Sequence, residues 1–251
     1  MRPLFVTIAL PVTAGGCSDV STALAGVGDT LDRLAPGYEA PASPIVTLRR
    51  KDGSIYKGTV RDGLPHGSGT LSRKDGYRYT GNWVGGQRQG AGRAWFPDGS
   101  VYDGAFRAGK PHGQGRITYK DGGLYEGAWR DGRIEGKGIA TYADGLRYEG
   151  EFLNSKHHGE GTAKARNGFT YAGSWRQGRQ HGRGTARYPD GSTYVGAFLN
   201  GLRHGLGAYR RPDGFTYNGN WKAGKIDGRG IALYPDGRKF EGTFRDGRFV
   251  G

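Results

Sequence analysis

The chain has 251 residues, of which 50 are Gly and 11 are Pro, only 35% are hydrophobic, and the mean hydropathy is -0.68. A chain this polar and this rich in backbone-breaking residues buries too little apolar surface for one compact core, so it is either periodic or unfolded. A single Cys excludes intrachain disulfides, Cys-based zinc sites and CxxC redox chemistry, and the net charge of +14 sits entirely in residues 56–251, where 32 basic side chains meet 18 acidic ones, a balance that predicts attraction to an anionic surface or polymer.

Residues 1–25 read as an export signal region. Arg2 precedes an apolar run from Leu4 to Val12 and then Thr13-Ala14-Gly15-Gly16-Cys17, a charged, apolar and small-residue layout. The run is too short to cross a bilayer as a helix. Small residues before the only Cys resemble a bacterial lipobox, which makes Cys17 the lipidation candidate and Ser18 similar to an outer-membrane sorting residue. Ala14 stands where lipoboxes usually carry Leu, and Ala23-Leu24-Ala25 offers an ordinary cleavage site. Two exported states stay open: a lipoprotein of the periplasm or outer membrane, and a chain secreted after cleavage at Ala25. Residues 26–44, with Pro36, Pro41 and Pro44, read as a flexible linker. Leu24, Val27, Leu31 and Leu34 have helical spacing over residues 21–34, against which Gly26 and Gly28 work.

The rest of the chain is an array over residues 45–251. Tyr56, Tyr79, Tyr102, Tyr125, Tyr148, Tyr171, Tyr194, Tyr217 and Phe240 recur at a constant step of 23. This gives a half repeat at 45–55, eight full repeats over 56–239 and a partial ninth at 240–251. Within a unit the third residue is Gly, the fifth is Trp or Phe except at Val60, the twelfth and fourteenth are Gly, and the twentieth and twenty-first are Asp-Gly, with Asn167-Gly168 as a variant. Asp-Gly signals a tight hairpin turn, so each repeat is expected to hold two strands. Alternation puts Tyr194, Gly196 and Phe198 on one face, and that face becomes an aromatic stripe in which rings lie over glycine backbone. The fifth position alternates strictly from Trp83 and Phe106 through to Trp221 and Phe244.

The unit Tyr-x-Gly-x-Trp-x-x-Gly-x-x-x-Gly-x-Gly, closing on Asp-Gly, resembles the MORN (membrane occupation and recognition nexus) repeat. The resemblance implies an all-β fold: an elongated single-layer antiparallel sheet of stacked hairpins. Two strands per repeat at about 4.7 Å each give roughly 9–10 Å per unit, or about 75–85 Å for the array. Such repeats also accompany phosphoinositide kinase and SET methyltransferase domains, and nothing in this chain resembles either.

No arrangement of residues points to catalysis, a cofactor or a metal. His66, His112, His158, His181 and His204 share the eleventh position, but equivalent residues about 9–10 Å apart cannot ligate one ion, and they read as loop residues packing between hairpins. His157 beside His158 has no carboxylate or Cys to complete a site. The recurring Asp75, Asp98, Asp121, Asp144, Asp190, Asp213 and Asp236 have turn-forming contexts. The Gly-x-Gly pairs open no helix and lack the Gly-Lys-Ser/Thr ending of a phosphate loop. The chain is therefore read as a non-catalytic scaffold of the cell envelope that offers an extended surface to a protein partner or an anionic membrane.

Cations recur at two positions. The sixth is basic in Arg61, Arg107, Arg130, Arg176, Lys222 and Arg245, and the ninth in Lys110, Arg133, Lys156, Arg179, Lys225 and Arg248. Both flank the Gly of the loop expected to link one hairpin to the next. Stacking lines them along one rim, which suits a phospholipid surface, lipopolysaccharide or another polyanion, and which also serves as a solvated edge that blocks unwanted pairing. The fourth and fifth repeats sum to zero charge, so the field is concentrated toward the two ends. Nucleic acid is disfavoured as the partner, because the rings are needed for packing. The end at Phe249-Val250-Gly251 is expected to leave an edge strand open to a second copy, as in a homodimer.

Overall fold

The computed structural model describes residues 44–251, so the signal region, Cys17 and nearly all of the linker lie outside the described residues. The described residues form one antiparallel sheet of 19 strands and no helix. After β1 (Val46–Arg49), each repeat contributes a seven-residue strand such as β2 (Ile55–Arg61) and a nine-residue strand such as β3 (Leu64–Ser72). Each strand pairs with the next in sequence, as in β2–β3 and on to β4 (Arg78–Val84). All-β hairpin stacking is what the 23-residue step predicts.

The two kinds of turn are distributed differently from the expectation. The tight two-residue turn lies at the seventh and eighth positions, where both residues take positive φ: 52° and 72° at Asp62-Gly63, 48° and 85° at Asp131-Gly132. This is the mirror-image turn whose twist matches paired strands. Asn154-Ser155 adopts it without Gly, at 49° and 60°. The Asp-Gly at the twentieth and twenty-first positions instead sits in a wider turn at the opposite rim. There the carboxylate accepts a hydrogen bond from the amide two residues on, as Asp98 does from Ser100 at 2.8 Å and Asp121 from Gly123 at 2.9 Å. Because the nine-residue strand begins directly after the tight turn, the eleventh-position histidines lie inside strands and not in loops.

One face carries the core. The first-position tyrosines from Tyr56 to Tyr217 are 0–1% exposed, and their rings join those at the fifth position in an unbroken edge-to-face series. Tyr79 meets Trp83 at 5.2 Å and Phe106 at 4.9 Å; Tyr102 meets Phe106 at 5.1 Å and Trp129 at 5.1 Å. Each tyrosine lies over a cross-strand glycine pair, Tyr102 over Gly104 and Gly115, where a β-carbon on either would strike its hydroxyl. The hydroxyl donates to the carbonyl three residues on, Tyr102 to Ala105 at 2.9 Å. Burial pushes the phenols of Tyr79 and Tyr194 up to about 12, so they stay neutral donors. The alternating tryptophans differ from the phenylalanines in one respect: Trp83, Trp129, Trp175 and Trp221 each donate the indole N–H to a glycine carbonyl of the preceding repeat, at 3.0–3.2 Å.

At the last strand the outer edge is open, as expected: among the described residues the terminal strand pairs only with the one before it. Phe249 packs on Phe240 and Phe244 at 5.2 and 5.3 Å, and β19 (Arg248–Phe249) pairs with β18 (Lys239–Arg245). The Val250 amide and Gly251 carbonyl close back on Thr243 at 2.9 and 2.6 Å. The contacts of the half-exposed Phe249 ring with Phe240 and Phe244 hold this segment on the sheet.

Candidate functional site

The tight turns set the geometry of the rim. Positions six and nine are the last cross-strand pair before the two-residue turn, so cations at both face each other directly. Five such pairs occur: Arg107–Lys110, Arg130–Arg133, Arg176–Arg179, Lys222–Lys225 and Arg245–Arg248. Arg61 pairs with Leu64, and Lys156 with Leu153. All twelve candidate cations are exposed. Arg107 pairs with Asp131 at 3.3 Å, Arg130 with Glu135 at 3.3 Å and Lys225 with Asp246 at 2.9 Å, whereas Arg61, Lys110, Arg176, Arg179, Lys222, Arg245 and Arg248 form no ion pair among the described residues. Arg133 donates to the Asn154 side chain at 3.2 Å. The hydrogen bond from Arg107 holds the Asp131 carboxyl below the usual carboxylate range, and the bond to Asp246 raises the Lys225 ammonium. The rim thus keeps a surplus of unneutralised cations.

The ring face carries Arg88, Arg203 and His157, all at the tenth position opposite the fifth-position ring; the sequence pattern singles out only His157, and only as an incomplete metal pair. Arg88 lies 5.5 Å from the Tyr77 centroid and hydrogen-bonds its hydroxyl. Arg203 lies 4.1 Å from the Trp221 centroid and donates to the Gly224 carbonyl at 2.9 Å. Shallow clefts flank Arg203 and Tyr209, one reaching Trp221 and the other Asp190. His157 is buried, stacked at 3.6 Å on Tyr148 and hydrogen-bonded to the Tyr142 hydroxyl at 2.7 Å; burial depresses its imidazole to about 4. Aligning the tenth position across repeats exposes these three, since it otherwise holds residues such as Pro65, Ile134 and Gln180. Among the described residues no group of three or more His, Cys, Asp or Glu could hold a metal ion.

The MORN repeat family model matches eight successive segments, at 56–76, 79–101, 102–124, 125–147, 148–170, 171–193, 194–216 and 217–237. The chain belongs to the MORN-repeat family. No match is found among curated proteins. Among solved structures, this MORN-repeat chain is similar to the TCP10 domain of Danio rerio CPAP, at 11% identity, a TM-score of 0.42, and coverage of 81% of this chain and 100% of that one. It is also similar to the SAS-4 (dCPAP) TCP domain of Drosophila melanogaster in complex with a proline-rich motif of Ana2, at 14% identity, a TM-score of 0.30, and coverage of 86% and 100%.

Proposed function

We propose that this MORN-repeat scaffold is a non-catalytic component of the bacterial cell envelope whose cationic rim docks on an anionic surface, with phospholipid headgroups or lipopolysaccharide phosphates as the matching chemistry. The five opposed cation pairs carry this reading. Like charges directly across a strand pair are destabilising. The turn does not require them, because Leu199–Leu202 and Val84–Gln87 occupy the same places. A feature that weakens the hairpin and that the hairpin does not need is explained by an oppositely charged partner. Repeats stand about 9–10 Å apart, so the pairs of the third and fourth repeats, and of the eighth and ninth, are separated by about one Debye length, which is about 10 Å at 0.1 M salt.

The test is vesicle binding by the full chain carrying Cys17→Ser, which removes the acylation site. Reversing Arg61, Lys110, Arg245 and Arg248 to Glu, none of which forms an ion pair among the described residues, is expected to weaken binding to phosphatidylglycerol vesicles at least tenfold. Unchanged binding would contradict the role of the rim.

Export and lipidation at Cys17 complete the proposal, supported by the apolar run and small residues before the Cys. Mass spectrometry of the native chain expressed in a Gram-negative host is expected to show acylated Cys17 as the new N-terminus. An intact N-terminus with a free thiol would contradict export, and cleavage after Ala25 would select the secreted state.

A further inference from the structure

A repeat array carries its own controls: a residue that one unit has and the others lack is not there for the fold. The seventh repeat, β14 (Thr193–Leu199) with β15 (Leu202–Arg210), departs most on the face opposite the rings. Val195, Leu199, Leu202 and Leu206 are exposed at 54%, 41%, 50% and 69%. Elsewhere the positions of Val195 and Leu206 hold polar residues such as Asp103, Glu126, Gln114 and Glu160, or Ala. All four point outward, because the rings and glycines of the same strands point inward. Leu199 and Leu202 face each other at the tip, and Val195 pairs with Ala208 in the middle of the sheet.

Cations enclose this aliphatic strip. Arg183 stands beside Ala197 on one flank, and Arg229 lies beyond Asn220 on the other. Arg187 and Arg210 both pair with Thr193 and close the end away from the tip. None of these four arginines forms an ion pair among the described residues. An apolar centre inside a charged border has the anatomy of a protein interface. Its finite length favours a peptide over a bilayer: the aliphatic stretch from Val195 to Leu199 spans about 13 Å at 3.3 Å per residue, close to two or three turns of helix at about 5.4 Å each. A bilayer meeting the hairpin tips would reach Leu199 and Leu202, leaving Val195 and the arginines around Thr193 without a role.

We propose that the outward face of the seventh repeat is a docking site for an acidic amphipathic helix of a protein partner, with aliphatic residues on its contact stripe and Asp or Glu along its borders. The strip meets the rim only at its tip, where Leu199 and Leu202 hold the sixth and ninth positions, and peptide binding is its primary readout.

The probe is a displayed library of random peptides of about 14 residues, long enough for nearly four helical turns, selected on the full chain carrying Cys17→Ser. Selected peptides are expected to be net acidic with aliphatic residues at i, i+3 and i+4 spacing. By fluorescence anisotropy they should bind Leu206→Glu at least tenfold more weakly, and Leu153→Glu, at the exposed sixth position of the fifth repeat, as well as the parent. The quadruple rim reversal should leave peptide binding intact. Leu206 is 69% exposed, so an unchanged circular dichroism spectrum of Leu206→Glu is expected and separates lost docking from lost folding. No enriched peptide, enrichment of peptides without acidic residues, or affinity untouched by Leu206→Glu would overturn the proposal. So would loss of vesicle binding in Leu206→Glu without any peptide selection, which would make the strip a lipid contact.

Discussion

Replacing Gly115 with Val is expected to lower the stability of the array by about 3 kcal/mol, the upper end of what overpacking a filled core site costs. Gly115 has ordinary backbone geometry and owes its identity to space. It pairs with Gly104, and a β-carbon on it would collide with the hydroxyl and ring of Tyr102. Relief requires the tyrosine to leave its place between Phe106 and Trp129, losing two edge-to-face contacts worth about 0.5–1.5 kcal/mol each beyond area burial. The Ala105 carbonyl, which accepts from the hydroxyl at 2.9 Å, would lose that partner. Each repeat touches only its neighbours, so damage in the third unit also uncouples the units on either side. Urea unfolding followed by tryptophan fluorescence measures the effect. A loss below about 1 kcal/mol would mean that the tyrosine does not rest on the glycine pair, because overpacking a filled site costs more than that.

The second large effect is a dependence of stability on pH centred on His157. Burial against Tyr148, Phe152 and Trp175 depresses its folded value to about 4, against 6.5 for a free side chain. The folded state therefore binds fewer protons than the unfolded one at intermediate pH. The contribution is fully present above the unfolded value near 6.5 and is lost as pH falls through the folded value near 4, on the order of 3 kcal/mol in all. His157→Phe keeps a flat ring and removes the proton site, so its stability should be flatter between pH 7 and pH 4.5 than that of the parent. Equal pH slopes in the two proteins would show that the imidazole does not titrate across the folding transition.

The periodic features were legible in the sequence because they repeat: one tyrosine every 23 residues fixes a strand, and its partner glycines fix the face. The turn assignment was not, because both turns use the same chemistry. Asp62-Gly63 and Asp131-Gly132 carry the same dipeptide as Asp98-Gly99. What separates them is the number of residues between strand ends: two between Arg61 and Leu64 at the tight turn, five between Ser72 and Arg78 at the wider one. The face opposed to His157 was hidden for a related reason. His158 follows the eleventh-position pattern while His157 breaks the tenth-position one, and only comparison down the tenth column distinguishes them. The rim cations were visible as a pattern, whereas their direct opposition across the tight turn followed from the same unread strand boundary. The strip of the seventh repeat was likewise written in the sequence as Val195 and Leu206, but an aliphatic residue marks a surface only when its exposure is known.

The central question for this protein is whether the rim attracts anionic surfaces. Co-sedimentation of the full Cys17→Ser chain with neutral phosphatidylcholine vesicles and with phosphatidylglycerol vesicles, at low and high salt, decides it. The rim predicts pelleting with the anionic vesicles alone and its loss at high salt, as the cations are screened. Binding to neutral vesicles to the same extent, or no binding to anionic vesicles at low salt, would contradict it.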